Sequence, residues 1–213
     1  MKKLTFLIAL LFIGKSVFAQ NSKYEETMNK LTTEMFNQPY DALLQPVANK
    51  MQRVAQAEAD QWLPNYWVAY CYIQDSFKKI DPAEKDQMLD VAAEYLKKAE
   101  SIAAKPISDI ELLKAQHASA KMTVDPQNRW QEYGPKYQTS LNKAEQIDPS
   151  NPRVAYLKGT SAFYTPEAFG GGKKIAKPFF EEALVKFSNF TAETTYHPNW
   201  GKMESEYFIT QCN

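Results

Sequence analysis

The fold is decided by the stretch from residue 137 to residue 183, which reads YQTSLNKAEQIDPSNPRVAYLKGTSAFYTPEAFGGGKKIAKPFFEEA. Its two ends repeat one spacing on a helical face, namely Tyr137, Leu141 and Ala144, then Ala176, Phe180 and Ala183. On such a face, a small residue admits a neighbouring helix and a large one fills the remaining gap. Between the two ends, Pro149 and Pro152 mark the end of one helix and the start of the next. The stretch therefore predicts packed helix pairs.

The same spacing occurs a third time, as Ala92, Leu96 and Ala99. The pattern resembles the tetratricopeptide repeat (TPR), a helix–turn–helix unit of roughly 34 residues. Pro149 falls where the family places its Pro after Ala144, and Gly159 falls where the next unit places its first-helix Gly. The resemblance implies an all-α, right-handed superhelix of helix pairs, closed by a C-terminal capping helix.

Helical periodicity predicts about nine helices in one domain, which spans residues 20–213. The second, from Tyr40 to Gln61, contains Pro46, so it is either kinked or starts later. The sixth begins at Pro135. The eighth, from Ile175 to Phe187, tolerates Pro178 only if that residue lies in its first turn. The last, from Pro198 to about Gln211, is predicted to turn Trp200, Met203, Tyr207 and Phe208 inward.

The first nineteen residues have the features of a secretory signal peptide. Lys2 and Lys3 precede a short apolar run, and Val17-Phe18-Ala19 suits cleavage after Ala19. The run is too short to span a membrane, and no Cys follows it to carry a lipid anchor. We therefore expect an exported chain, periplasmic or extracellular, with no membrane span after cleavage.

The net charge argues against a nucleic-acid-binding protein, and the positions of the cysteines argue against a disulfide. Removing residues 1–19 takes away three lysines, so the net charge goes from 0 to 22 − 25 = −3. Nucleic-acid binding requires a dense basic face, so no nucleic-acid partner is expected. Cys71 and Cys212 are the two cysteines, and they lie many helices apart in a stacked array. We expect both thiols to be free.

No motif predicts catalysis. His117 and His197 are the two histidines, and neither has a second His or Cys at metal-ligand spacing. The sequence contains no H-E-x-x-H and no G-x-S-x-G. We therefore expect a protein that is not an enzyme and holds no metal and no cofactor.

The loop from Thr165 to Lys174 has two interpretations. Its glycines and the lysines at the next helix start suit an anion. Alternatively, the glycines serve a tight turn. The candidate residues of this loop are Phe169, Gly170, Gly171, Gly172 and Lys173. We expect the loop to be ordered, with Phe169 packed beneath it near Trp200.

The TPR resemblance also implies a concave groove lined by the first helix of each pair. Tyr and Arg on such a face suit peptide recognition, although each tyrosine could instead pack between repeats. The groove positions of the family fall here on Asn65, Tyr72, Asp75, Asp109, Gln116, Ser119, Arg153, Tyr156, Thr160 and Tyr164.

Residues 44–200 also resemble an exported bacterial family of this class, a resemblance that implies no established activity. It rests on four phrases: Trp62-Leu63-Pro64, Asp148-Pro149 with Pro152-Arg153, Thr165-Pro166-Glu167 through Gly172-Lys173, and Pro198-Asn199-Trp200-Gly201. The sequence predicts a scaffold that binds an unidentified peptide or partner protein at the cell envelope. The alternative is a small-ligand-binding or accessory component of an envelope transport system.

Overall fold

The computed structural model describes residues 22–213, so the predicted signal peptide lies outside the described range. Within that range the chain is all-α and has no strand. None of its helices is both long and apolar enough to cross a membrane. The helices are α1 (residues 22–36), α2 (Gln45–Ala57), α3 (Trp62–Lys78), α4 (Pro82–Ile102), α5 (Ser108–Val124), α6 (Pro126–Ile147), α7 (Pro152–Tyr164), α8 (Lys173–Asn189) and α9 (Lys202–Gln211), with a 3-10 turn at Glu167–Phe169.

The helices pack as successive pairs. Helix α3 packs on α4, α5 on α6, and α7 on α8. The first helices of neighbouring pairs also touch, since α5 contacts both α3 and α7. This arrangement gives a layer of first helices, α3, α5 and α7. Helix α9 packs on α8 at the C-terminal end.

The small residues of the repeated spacing are buried, as predicted. Ala92, Ala144 and Ala183 are all fully buried. Gly159 serves the same purpose on α7, because a Cβ there would lie 2.6 Å from the ring of Phe180. Helices α7 and α8 can therefore approach this closely only where α7 has no side chain.

Enlarging one of these alanines should destabilise the fold. Ala144→Leu adds three carbons to a fully buried position, so we expect a loss of about 1–3 kcal/mol through overpacking. The urea midpoint of unfolding measures the loss. Ala93→Leu, on the exposed side of α4, is the matched control and should leave the midpoint nearly unchanged. Equal midpoints for the two variants would contradict the assigned packing.

Several predicted helix bounds differ from the structure. Helix α2 starts at Gln45, so Pro46 lies in its first turn and the later-start alternative holds. Helix α6 starts at Pro126 and continues through Pro135, so the predicted start at Pro135 is wrong. Helix α8 starts at Lys173, which places Pro178 in the helix interior, beyond the first turn that we predicted.

The last helix is shorter than predicted. Gly201 has a φ of +104°, a left-handed conformation that separates α9 from Trp200. Trp200 is buried before the helix begins, and Phe208 is half-buried. Met203 and Tyr207 are 69% and 60% exposed, so their predicted inward orientation is wrong.

Both cysteines carry free thiols, as predicted. Cys71 is buried, and its Sγ lies 3.5 Å from Sδ of Met35. Burial raises the pKa of the Cys71 thiol, which favours the unreactive protonated form.

Candidate functional site

A segment before the last helix crosses the layer of first helices. We call residues 190–201 the strap. The ring of Tyr196 lies 5.9 Å from that of Tyr24 in α1, and its carbonyl oxygen accepts a 2.8 Å hydrogen bond from Nε1 of Trp67 in α3. Thr195 also bonds to Asn29 of α1. The strap therefore joins the C-terminal end of the chain to its first described helix.

Trp200 anchors the far end of the strap. Its side chain is 3% exposed, and its Nε1 donates a 2.8 Å hydrogen bond to the hydroxyl of Tyr66. Its ring lies 5.9 Å from that of Tyr70 and 6.0 Å from that of Tyr156. Trp200 thus fills the space between α3 and α7.

Arg153 lies fully buried beneath the strap. Its Nε donates a 2.9 Å hydrogen bond to Oδ1 of Asp109, and its Nη2 forms an ion pair with the same oxygen at 2.8 Å. The guanidinium carbon lies 4.7 Å from the centre of the Phe190 ring and 5.5 Å from that of Trp200. Neither Nη atom has a well-aligned hydrogen bond within the described residues. Arg153 and Asp109 were both predicted to line the groove. In the structure they pair with each other, and Arg153 packs against the strap.

Other predicted groove residues also form hydrogen bonds within the chain. The amide of Asn65 donates to the carbonyl of Gln61, and that of Gln74 donates to Gln116 at 3.5 Å. Asp75 is 1% exposed and caps the start of α2. Tyr72 is buried at the edge of α3.

The remaining groove residues differ in access. Tyr156 is 8% exposed, whereas Asp109, Ser119 and Thr160 are half-buried. Tyr164, at the end of α7, is 72% exposed and is the one fully accessible member of the predicted set.

Tyr164 belongs to a cluster of phenol groups that the sequence did not reveal. We call Tyr40, Tyr70, Tyr156, Tyr164 and Tyr207 the tyrosine face. They come from the α1–α2 turn, α3, α7 and α9. The rings of Tyr164 and Tyr207 lie 6.0 and 5.7 Å from that of Phe208, which stacks on Phe180 at 4.9 Å. The outer tyrosines therefore rest on a packed aromatic base.

Several of these phenols act on one another electrostatically. Burial raises the pKa of Tyr156, and Glu204, Tyr164 and Tyr40 raise it further. Burial also raises the pKa of Tyr164, with Tyr40 and Tyr207 adding to the effect. These hydroxyl groups are therefore protonated at neutral pH and can donate hydrogen bonds.

The inner phenols have free hydrogen-bonding capacity. Tyr70 and Tyr156 are at most 8% exposed, yet their hydroxyl groups hydrogen-bond to nothing within residues 22–213. Burial, then the charge of Glu204, raises the pKa of Tyr70. The face thus combines exposed rings at its edge with unpaired phenol donors at its base.

The glycine-rich loop supports the tight-turn interpretation. Gly170 and Gly172 have φ values of +82° and +102°, and a Cβ on Gly171 would lie 2.2 Å from the carbonyl oxygen of Thr165. The predicted burial of Phe169 is wrong, because its side chain is 81% exposed. Lys173 is exposed at the start of α8.

A cleft lies between the first turns of α4 and α6. This cleft has a volume of about 670 Å³ and is lined by Pro82, Asp86, Pro126 and Arg129, among others. Both guanidinium Nη atoms of Arg129 donate to the carboxylate of Asp86 at 2.6 Å, so these two charges of the cleft are paired with each other.

The histidines are engaged in structural contacts. His117 Nε2 lies 2.8 Å from the carbonyl oxygen of Leu89, and His197 Nδ1 lies 2.7 Å from the hydroxyl of Thr194. Residues 22–213 contain no cluster of three His, Cys, Asp or Glu side chains placed to hold a metal ion.

Stability should fall as the pH drops below about 6.5, the usual pKa of His. Burial lowers the pKa of His117 and of His197, so the unfolded chain binds protons first as the pH falls. The stabilisation is present above about pH 6.5 and is lost below it. Urea unfolding at pH 7.5 and 5.5 measures the change. The His117→Gln/His197→Gln double variant should lose less, and an equal loss would contradict the assignment.

A solved structure is similar to the chain along most of its length. It is the HusA haemophore from Porphyromonas gingivalis, with 34% sequence identity and a TM-score of 0.79. The match covers 89% of this chain and 92% of that chain. No model of a known protein family matches the sequence, and a search of curated proteins gave no match. At this identity and coverage, the chain belongs to the same family as the HusA haemophore.

Proposed function

We propose that the chain is an exported, non-enzymatic binding protein that carries a haem-class tetrapyrrole on the tyrosine face. The observation that carries this proposal is the face itself: Tyr40, Tyr164 and Tyr207 are 96%, 72% and 60% exposed. These rings contribute little to the core. Their exposed apolar surface is unfavourable in water, which favours a binding role. The haemophore of the same family supports the ligand class.

The chemistry of the face suits a flat, amphiphilic macrocycle. Aromatic rings stack on a planar apolar ligand, and protonated phenols donate hydrogen bonds to its carboxylates. Glu204 places a negative charge beside Tyr70 and Tyr156, and its carboxylate is held by the backbone N–H of Gly201 at 3.0 Å. That charge repels ligand carboxylates from the base of the face. The ring would therefore enter first, with its carboxylates toward the exposed phenols.

The peptide-scaffold hypothesis receives less support. Its groove residues Asn65, Asp75 and Arg153 are at most 3% exposed, and the strap crosses the layer where a peptide would lie. The small-ligand alternative fits the accessible residues better. We further propose that the helix pairs form a TPR-type right-handed superhelix capped by α9, which the pairwise packing supports.

Titration of the chain from residue 20 with haem, followed by the Soret absorbance, tests the proposal. We expect saturable binding. The Tyr164→Ala/Tyr207→Ala variant should bind at least about tenfold more weakly, which corresponds to about 1.4 kcal/mol. Trp130→Ala is the matched control, because Trp130 is 57% exposed on α6 and has no part in the face. Absent saturation, or equal affinity for the two variants, would refute the proposal.

A further inference from the structure

The connection between α7 and α8 presents an exposed aromatic ring on a fixed backbone. We call residues 164–177 the α7–α8 corner. The side chain of Phe169 is 81% exposed. The loop that carries it is closed by a 2.8 Å hydrogen bond from the Gly172 N–H to the carbonyl oxygen of Ala162 at the end of α7. The backbone at Gly171 also packs so closely on α7 that a Cβ there would clash with the Thr165 carbonyl. The ring is therefore held in water by an ordered loop.

The corner is a protrusion and not a groove. Gly170, directly after Phe169, has a φ of +82°, and a Cβ built on it would have no atom within 4 Å. Two further large apolar side chains of the corner, Tyr164 and Ile175, are 72% and 50% exposed. Exposed apolar side chains that lie close together mark interaction surfaces, because water solvates them poorly.

The same corner carries cations that the fold does not use. Lys173 and Lys174 are exposed, and their side chains form no ion pair and no hydrogen bond within the described part of the chain. Lys177 is a third cation, and Glu167 is the one acid of the corner. The corner therefore has a net charge of 3 − 1 = +2, although the chain without its predicted signal peptide has a net charge of −3.

We propose that the α7–α8 corner docks the protein on an anionic membrane surface, with the Phe169 ring inserted among the lipid headgroups and Lys173 and Lys174 bound to their phosphates. Aromatic rings favour the membrane interface, and exposed lysines are attracted to anionic lipids. A protein partner fits less well, because a stable protein interface buries about 800 Å² on each side and a narrow protrusion offers few side chains. This inference goes beyond the proposed function and does not depend on it.

The turn between α3 and α4 shows what the corner would look like with its cations engaged. Ile80 in that turn is 94% exposed. Its neighbouring lysines are held by the fold, since Nζ of Lys78 donates to the carbonyl oxygen of Ala42 at 2.5 Å and Nζ of Lys79 pairs with Glu84 at 3.0 Å. We therefore expect no membrane docking through Ile80.

Co-sedimentation with lipid vesicles tests the inference. We expect the chain from residue 20 to bind phosphatidylcholine vesicles that contain phosphatidylglycerol, to bind pure phosphatidylcholine vesicles more weakly, and to be released by high salt. Phe169→Ala and Lys173→Gln/Lys174→Gln should each lower the partition coefficient about tenfold. All three side chains are exposed, so the urea midpoint should stay unchanged.

Two matched controls remove the same groups elsewhere. Ile80→Ala removes an exposed apolar side chain from a turn, and Lys97→Gln/Lys98→Gln removes two adjacent exposed lysines from α4. Both should leave the partition coefficient unchanged. Losses equal to those of the corner variants would overturn the inference, because any apolar or basic residue would then serve.

Brominated lipids measure insertion directly. Phe169→Trp places an indole at the tip of the corner, and its fluorescence should be quenched by anionic vesicles with brominated acyl chains beyond the quenching of the parent. Ile80→Trp should show no added quenching. Absent vesicle binding, or equal quenching of the two variants, would overturn membrane docking and indicate that the corner contacts a protein. None of these measurements uses haem, so the proposed function can stand or fall independently.

Discussion

Asp109→Ala should lower the free energy of unfolding by about 3–5 kcal/mol, because it leaves Arg153 as an uncompensated charge with no solvent access. The Arg153 side chain is fully buried beneath the strap, whereas that of Asp109 is 18% exposed. Chemical denaturation followed by circular dichroism measures the change.

Glu145→Ala provides the control for that variant. Glu145 pairs with Lys158 at 2.6 Å, but both side chains are about a third exposed, so its loss should cost no more than about 1 kcal/mol. If Asp109→Ala costs as little as Glu145→Ala, the assignment of a structural ion pair beneath the strap is wrong.

Trp200→Ala should destabilise the chain by about 3–5 kcal/mol, the usual cost of removing a buried Trp side chain. Trp200 contacts Tyr66, Tyr70, Tyr156 and Arg153, so the variant leaves a cavity between α3 and α7. The loss should be uneven: amide hydrogen exchange should accelerate most in the strap and in α9.

Trp130→Ala is the control for this variant, because that ring is 57% exposed and its loss should change stability little. In Trp200→Ala, exchange could instead accelerate uniformly along the whole chain, with no preference for residues 190–211. That result would contradict the interpretation that the strap stabilises the C-terminal part of the chain separately.

The helix pairs could be predicted from the sequence because their signal is local. Ala92, Leu96 and Ala99 lie within one helix, and their spacing alone places them on one buried face. The strap could not be predicted in this way. Residues 191–197 are mostly polar and lack periodicity, and their contact with Trp67 joins positions 129 residues apart.

A repeat register does not by itself predict which first-helix positions are accessible. Arg153 and Asp75 occupy first-helix positions, but the strap covers Arg153, and Asp75 serves the start of α2. Tyr164 is accessible because it is the last residue of α7. Tyr40 was missed because its electrostatic effect on Tyr164 joins positions far apart in the sequence.

Phe169 shows the opposite error. We expected a large apolar side chain in a glycine-rich loop to be buried. The loop instead closes through its backbone, with Gly172 N–H donating to the carbonyl oxygen of Ala162 at 2.8 Å, and the ring stays 81% exposed. The predicted position of the ring is therefore wrong, because the loop closes without it.

The most direct test of tetrapyrrole binding at the tyrosine face is chemical-shift mapping of the labelled chain with zinc protoporphyrin. We expect saturable shifts at Tyr40, Tyr70, Tyr156, Tyr164 and Tyr207, and no shifts of the residues around the Asp86–Arg129 cleft. Shifts centred on that cleft or on the loop at Gly170–Gly172, or no saturable shift anywhere, would contradict this expectation.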